Sequence, residues 1–183
     1  MSEADLVRRF QAGDEEVFRL LVEPYRDLLL GTAYLMTGDR SLAEDLVQEA
    51  LVQVWRGLWR FQPRGSFKAW LVKILVNRVK QHRRRKWVPT VPLEEVAGIF
   101  ARDTEVEEIV FESEVRRLLK GAMDTLPDVQ RQLIVLRYYS GLSVPEIAQV
   151  LGCREGTVKS RLHRALGRLA SVLDMYRSQR DPG

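Results

Sequence analysis

The stretch from Ser143 to Leu169, SVPEIAQVLGCREGTVKSRLHRALGRL, limits what this chain can be more than any other. Ser143 and Glu146 have the spacing of a capping box, in which each side chain satisfies a backbone amide at a helix start. Ile147, Ala148 and Leu151 then form a narrow apolar face, and small Ala148 lets a second helix approach closely. Gly152 stands where helices commonly end in a left-handed residue. After Cys153 and Arg154, the residues Val158, Leu162, Ala165, Leu166 and Leu169 mark one stripe of a second helix. Its opposite side presents Thr157, Ser160, His163 and Arg164, flanked by Lys159, Arg161 and Arg168. A short helix, a tight turn and a basic helix make a helix-turn-helix, whose second helix reads the DNA major groove.

Charge patterning extends the argument beyond this motif. The net charge of +4 conceals three blocks. Residues 1–88 carry 16 Lys and Arg against 11 Asp and Glu; residues 89–115 carry 1 against 8; residues 116–183 carry 12 against 6. Two basic blocks flank an acidic one that phosphate would repel, as expected of two nucleic-acid-facing modules on a linker. A length of 183 residues suits one ordinary domain or two small ones, and 45% hydrophobic with 30% charged residues suits a folded chain.

Helical periodicity dominates, so the expected fold class is all-α: two small helical domains joined by an acidic linker, the second carrying the helix-turn-helix. The expected boundaries are 1–88, 89–114 and 115–183. A first helix is expected over Ala4–Gln11, and a longer segment over Glu15–Met36 that Pro24 kinks or restarts. Ser41 and Glu44 suggest another capping box, opening a helix from Leu42 to about Arg60. The exposed side of that helix carries Asp45, Gln48, Glu49, Val52 and Arg56. Apolar Val52 on an acidic face suits a protein-docking surface. The carboxylates also complement a helix N-terminus.

FQPRG at 61–65 reads as a turn, and Ser66 as the cap of a helix that runs roughly 30 Å to Lys86. Phe67, Trp70, Leu71, Ile74 and Leu75 make its core stripe. Lys73, Asn77, Lys80 and Arg84 recur at i, i+4, i+7 and i+11, so they share one flank and can follow a phosphate backbone. A basic C-terminal turn also complements the helix dipole, but that does not account for a stripe beginning two turns earlier. Phe61, Phe67 and Trp70 add aromatic surface for base stacking, with Trp70 equally suited to the core. Residues from Val88 to about Ser113 read as the linker, with a short helix around Val96–Phe100. Helix resumes near Glu114, another covers Val129–Tyr139, and the tail after Tyr176 is expected to fray.

Taken together, GDRSLAEDLVQEALVQVW and GSFKAWLVKILVNRVKQHRRR in the front half, with LPDVQRQLIVLRYYSGLSVPEIAQVLGCREGTVKSRLHRALGRL in the back, resemble the extracytoplasmic-function class of bacterial sigma factors. The resemblance covers most of residues 10–170. It implies an alternative sigma factor that binds core RNA polymerase and directs promoter-specific transcription initiation. Asp45, Gln48, Glu49 and Val52 match the polymerase-docking helix. Phe61, Arg64, Lys68, Trp70, Lys73, Asn77, Lys80 and Arg84 fall in the part that opens and holds the single-stranded −10 element. Thr157, Lys159, Ser160, Arg161, His163, Arg164 and Arg168 fall on the reader of the duplex −35 element. His163 departs from the aromatic or aliphatic residue common at that place. Regulation by a separate anti-sigma protein is also implied.

The other reading is a stand-alone helix-turn-helix regulator with an N-terminal dimerisation or sensing domain, which would bind a palindromic duplex without polymerase. The cation stripe from Lys73 to Arg84 argues against it. With no phosphate loop and no Cys/His nucleophile pair, the expected catalytic set is empty and no enzyme is expected. Cys153 with His82 and His163 makes no zinc site, so neither metal nor cofactor is expected. Cys153 reads as a small residue filling the turn. The start SEAD does not read as a signal peptide and no apolar run suffices to cross a bilayer, so no membrane insertion and a cytoplasmic location are expected.

Overall fold

The computed structural model describes residues 2–62, 65–85 and 121–180, and every regular element among them is helical. Helix α1, Glu3–Gln11, starts on a capping box: Ser2 Oγ accepts from the Asp5 amide at 3.2 Å, and Asp5 accepts from the Ser2 amide at 3.0 Å. Its buried face, Leu6, Val7 and Phe10, closes over the far end of the front half. There the Phe10 ring meets Phe18, Trp55 and Trp59, with centroids 5.9, 5.0 and 4.6 Å away.

Pro24 divides the next segment as its missing amide requires. Helix α2 spans Val17–Val22, a 3₁₀ turn holds Glu23–Tyr25, and α3 spans Arg26–Thr37. Gly38 ends α3 in the left-handed region, at φ 74°. Helix α4, Arg40–Leu58, differs from expectation at its start: the cap is Asp39, whose carboxylate accepts from the Leu42 amide at 3.0 Å. A carboxylate directly after the left-handed glycine reaches the free amides two residues before Ser41 could. Ser41 therefore lies inside the helix, and Glu44 pairs with Arg40 at 3.1 Å. Helix α5, Phe67–Arg85, is capped as expected, with Ser66 Oγ accepting from the Ala69 amide at 3.1 Å.

In the back half, residues 121–124 are helical and α6 covers Asp128–Ile134. The helix expected to run evenly to Tyr139 instead widens into a π turn over Val135–Tyr139, and the Ser140 amide donates to the Val135 carbonyl at 2.9 Å. Helix α7, Val144–Leu151, and α8, Glu155–Arg180, follow. Of the tail expected to fray after Tyr176, the part to Arg180 is helical and residues 181–183 lie outside the described residues. Nothing between Tyr176 and Arg180 breaks a helix, and Pro182 comes only later. The linker expected over 89–114, its short helix around Val96–Phe100 and the helix start near Glu114 lie outside the described residues.

Among the described residues, the main core runs without interruption from Leu6 of α1 to Val158 of α8. It joins front-half residues such as Leu29, Leu46 and Leu75 to back-half residues such as Leu133, Leu136, Ile147 and Val150. A smaller cluster of Ala122, Leu126, Ile134, Ala165 and Leu169 holds α8 to the rest of the back half. The halves that the sequence separates by an acidic stretch thus pack against one another. Helix α5 takes part on more of its circumference than the expected stripe: Val72, Val76 and Val79 are buried along with Phe67, Leu71 and Leu75.

Candidate nucleic-acid interface

The recognition helix is set by its apolar side. Val158 and Ala165 are fully buried and Leu169 nearly so, which turns the opposite face outward. Lys159, Ser160, Arg161, His163, Arg164 and Arg168 are all exposed, and Thr157 is half-buried. The expected capping box is present, with the Ser143 amide donating to Glu146 at 2.8 Å. Gly152 adopts φ 67° and ψ 41°, and half-buried Cys153 fills the turn, its amide donating to the Ala148 carbonyl at 3.0 Å. Exposed Arg154, just before α8, extends the basic surface. Its place in the turn, outside the helical wheel, hid it from the sequence reading.

On α4, Asp45, Gln48, Glu49 and Val52 share one exposed face, with Val52 49% exposed. Arg56 and Trp59 continue that face at i+4 and i+7 from Val52, and Trp59 is 41% exposed. Trp59 was missed because the helix was expected to continue to about Arg60, whereas it ends at Leu58 and Trp59 is its C-cap. Its apolar ring and Val52 flank Arg56 and follow the polar Asp45, Gln48 and Glu49, a mixture suited to docking a protein.

The loop between α4 and α5 is anchored at its start. Gln11 of α1 donates to the carbonyls of Leu58 and Phe61, both at 2.9 Å. Phe61, Phe67 and Trp70 then gather, with Phe61 4.5 Å from Trp70 and 5.5 Å from Phe67 by centroids. They border a cleft of about 140 Å³ whose walls include Phe61, Gly65, Trp70 and Lys73 from the front half and Gln149 and Val150 from α7. Trp70 has both of its expected surroundings: a Cβ on Gly57 would lie only 3.1 Å from its indole, and its ring also lines the cleft. Arg64 lies outside the described residues.

The expected stripe along α5 splits in two. Lys73, Asn77 and Arg84 are exposed along one flank. Lys80 is half-buried, and burial pushes its ammonium below the usual lysine range; Cys153 opposes that shift and Arg84 adds to it. Lys68 is also engaged, donating from Nζ to the Gly141 carbonyl at 3.0 Å. Lys68, Val72, Val76 and Lys80 stand four apart, so the face of α5 they share points at the back half. Sequence periodicity could not separate a cation facing solvent from one facing another helix.

Among the described residues no group of three His, Cys, Asp or Glu side chains could hold a metal ion. No described helix is long and apolar enough to cross a membrane.

Comparison with known proteins agrees with this arrangement. Residues 21–88 match Sigma-70 region 2, and residues 116–169 match Sigma-70, region 4. The chain is 34% identical over 171 residues to the ECF RNA polymerase sigma-E factor of Escherichia coli strain K12, covering 87% of this chain and 88% of that protein. It is 33% identical over 169 residues to the RNA polymerase sigma-H factor of Pseudomonas aeruginosa, with coverage of 87% and 88%. Among solved structures it resembles CnrH in complex with the cytosolic domain of CnrY, at TM-score 0.71 and 26% identity over 94% of this chain and 97% of that one. It also resembles the sigma factor RpoE in complex with the anti-sigma factor NepR from Bartonella quintana, at TM-score 0.65 and 29% identity over 88% and 97%. Identity above 30% along most of both chains, with both family regions matched in order, places the chain in the extracytoplasmic-function class of RNA polymerase sigma factors, a family of transcription initiation factors.

Proposed function

We propose that this chain is a non-enzymatic, cytoplasmic promoter-recognition subunit with a division of labour along its length. Residues 1–88 dock on core RNA polymerase and hold the −10 strand, 89–114 link, and 115–183 read the −35 duplex. The α4 face of Asp45, Gln48, Glu49 and Val52 meets polymerase. Phe61, Arg64, Lys68, Trp70, Lys73, Asn77, Lys80 and Arg84 receive the opened strand, aromatic rings taking bases and cations following phosphates. Thr157, Lys159, Ser160, Arg161, His163, Arg164 and Arg168 contact the upstream duplex. The observation that carries this reading is the presence on one chain of an exposed recognition helix and, separately, an aromatic cleft beside outward cations. A duplex reader alone has no use for the second. The NepR complex of a similar sigma factor supports a separate anti-sigma protein as a further partner.

The test is reconstitution with core polymerase and a promoter-library template, and failure to start transcripts from any member would sink the reading. Asp45→Arg is expected to weaken polymerase binding by about 10-fold or more, since mismatched charges across an interface cost several kcal/mol. Duplex binding by that variant should be unchanged. Arg164→Ala should do the reverse, weakening duplex binding by about 1–3 kcal/mol if it reads a base edge. Loss of both activities in both variants would indicate misfolding and refute the division.

A further inference from the structure

The cleft beside α5 has the dimensions of a site for a single ring. Its volume is about 140 Å³, and an engineered apolar cavity of roughly 150 Å³ takes up benzene. Phe61 and Trp70 supply a stacking wall, with centroids 4.5 Å apart and planes at 43°. Both rings are braced. Buried Phe67 meets them at 5.5 and 5.6 Å, and a Cβ on Gly57 would lie 3.1 Å from the indole. Val150, 3% exposed, adds an aliphatic surface from α7. Aromatic surface fixed before binding loses little further freedom when a ring arrives.

Two polar side chains line the same cleft without a task inside the protein. Gln149 is exposed, and its Oε1 reaches to within 3.5 Å of the place a Cβ on Gly65 would take. Gly65 itself stands at φ 151°, where glycine is favoured, so no side chain from that residue fills the space. Lys73 is exposed as well. Among the described residues neither the Gln149 amide nor the Lys73 ammonium has a hydrogen bond or ion pair. Their charged and polar neighbours, by contrast, are engaged. Glu146 accepts from Ser66 and, at 2.8 Å, from Ser143, and Lys68 donates to the Gly141 carbonyl at 3.0 Å.

From this combination we infer that the cleft is a binding site for a free pyrimidine mononucleotide: its ring stacks on Phe61 and Trp70, the Gln149 amide pairs with its polar edge, and Lys73 holds its phosphate. Each feature of the ligand answers one feature of the cleft. The volume admits one ring and disfavours the fused pair of a purine. An amide offers a donor beside an acceptor, so it can pair with cytosine or with uracil. A benzene carboxylate would meet the cation but leave the amide without a partner. The inference uses the shape and charge of the cleft alone and does not rest on its proposed −10 role. A ligand held by walls from both halves binds only the folded chain, so it raises thermal stability by mass action.

Calorimetric titration of the full chain with cytidine 5′-monophosphate tests the site. Saturable binding of one molecule per chain is expected, together with a rise in the thermal unfolding midpoint. Uridine 5′-monophosphate should bind alike, and adenosine 5′-monophosphate about 10-fold more weakly. Cytidine, which lacks the phosphate, should also lose about 10-fold, the usual worth of a hydrogen bond to a charged group. Lys73→Ala should bring the nucleotide down to the level of cytidine while leaving cytidine binding unchanged, which ties the phosphate to that side chain. Gln149→Leu should weaken cytidine and its monophosphate equally. Both replaced residues are exposed, so neither variant threatens the fold. Absence of saturable binding would overturn the proposal. So would ribose 5-phosphate binding as tightly as the nucleotide, equal binding of the adenine and cytosine nucleotides, or a Lys73→Ala chain that binds as before. These measurements contain neither polymerase nor promoter DNA, so their failure leaves the promoter reading standing.

Discussion

Gly31 shows how one absent atom decides a packing. Within a helix, glycine is worse than alanine by about 1 kcal/mol, so Gly31→Ala should favour α3 locally. The added Cβ, however, overlaps the Tyr139 ring, and overpacking of this kind costs about 1–3 kcal/mol. The second effect wins where the halves meet. Gly31→Ala is expected to keep its helix content while its radius of gyration, measured by small-angle scattering, increases. Leu136, fully buried at the junction, is a simpler case. Leu136→Ala removes apolar contacts and leaves a cavity, so urea unfolding should report a loss of about 2–5 kcal/mol. At the other end of the chain, hydrogen bonds from Ser2, with Arg8 adding to them, hold the Asp5 carboxyl at about 2, below its usual 3.8. A depressed folded-state value means the α1 cap contributes fully above pH 3.8 and is lost as pH falls through 2. A titration of Asp5 followed by NMR should give that midpoint, and Ser2→Ala should move it upward.

At the scale of elements, the helices follow from short-range chemistry, and most of their ends were legible. Pro24 breaks the α2–α3 segment, Ser66 caps α5, and Ser143 with Glu146 starts α7, each by an interaction within four residues. The start of α4 was misread because two capping candidates, Asp39 and Ser41, lie two residues apart, and the carboxylate engages first. The π turn over Val135–Tyr139 was not legible at all. Nothing in VLRYY disfavours an α-helix, and the wider turn accompanies the seating of Tyr139 on another element. The cap on α7 yields a prediction of its own. Ser143→Ala should cost about 0.5–2 kcal/mol of back-half stability. Duplex binding should weaken with it, because α7 braces the recognition helix; unaltered thermal unfolding would contradict the capping role.

For the whole molecule, the polar contacts between the halves give stability a dependence on pH. Burial alone would raise the Glu146 carboxyl, but hydrogen bonds from Ser66 and Ser143 outweigh it and leave it lowered, with Lys68 adding attraction. A carboxyl lowered in the folded state contributes stability above its ordinary value, near 4.5, and that contribution is lost as pH falls through its folded-state value. Glu146→Gln should flatten the acid limb of stability, read as urea-unfolding midpoints over a series of pH values. Salt acts on a different property. Binding of duplex by the exposed α8 cations should fall with a log–log slope set by the phosphates neutralised, and Arg168→Ala should reduce that slope by about 1 if Arg168 contacts a phosphate.

The sequence by itself determined the helical class, the helix-turn-helix, the exposed face of α4, the cap of α5 and the family, because each rests on periodicity, local hydrogen bonding or the order of motifs. Tertiary structure decided which cations of α5 face solvent, that Trp70 both packs on Gly57 and lines the cleft, and that the two halves share one core. Those outcomes depend on contacts such as Thr32 with Ser140, 108 positions apart, and no local pattern encodes a partner at that distance.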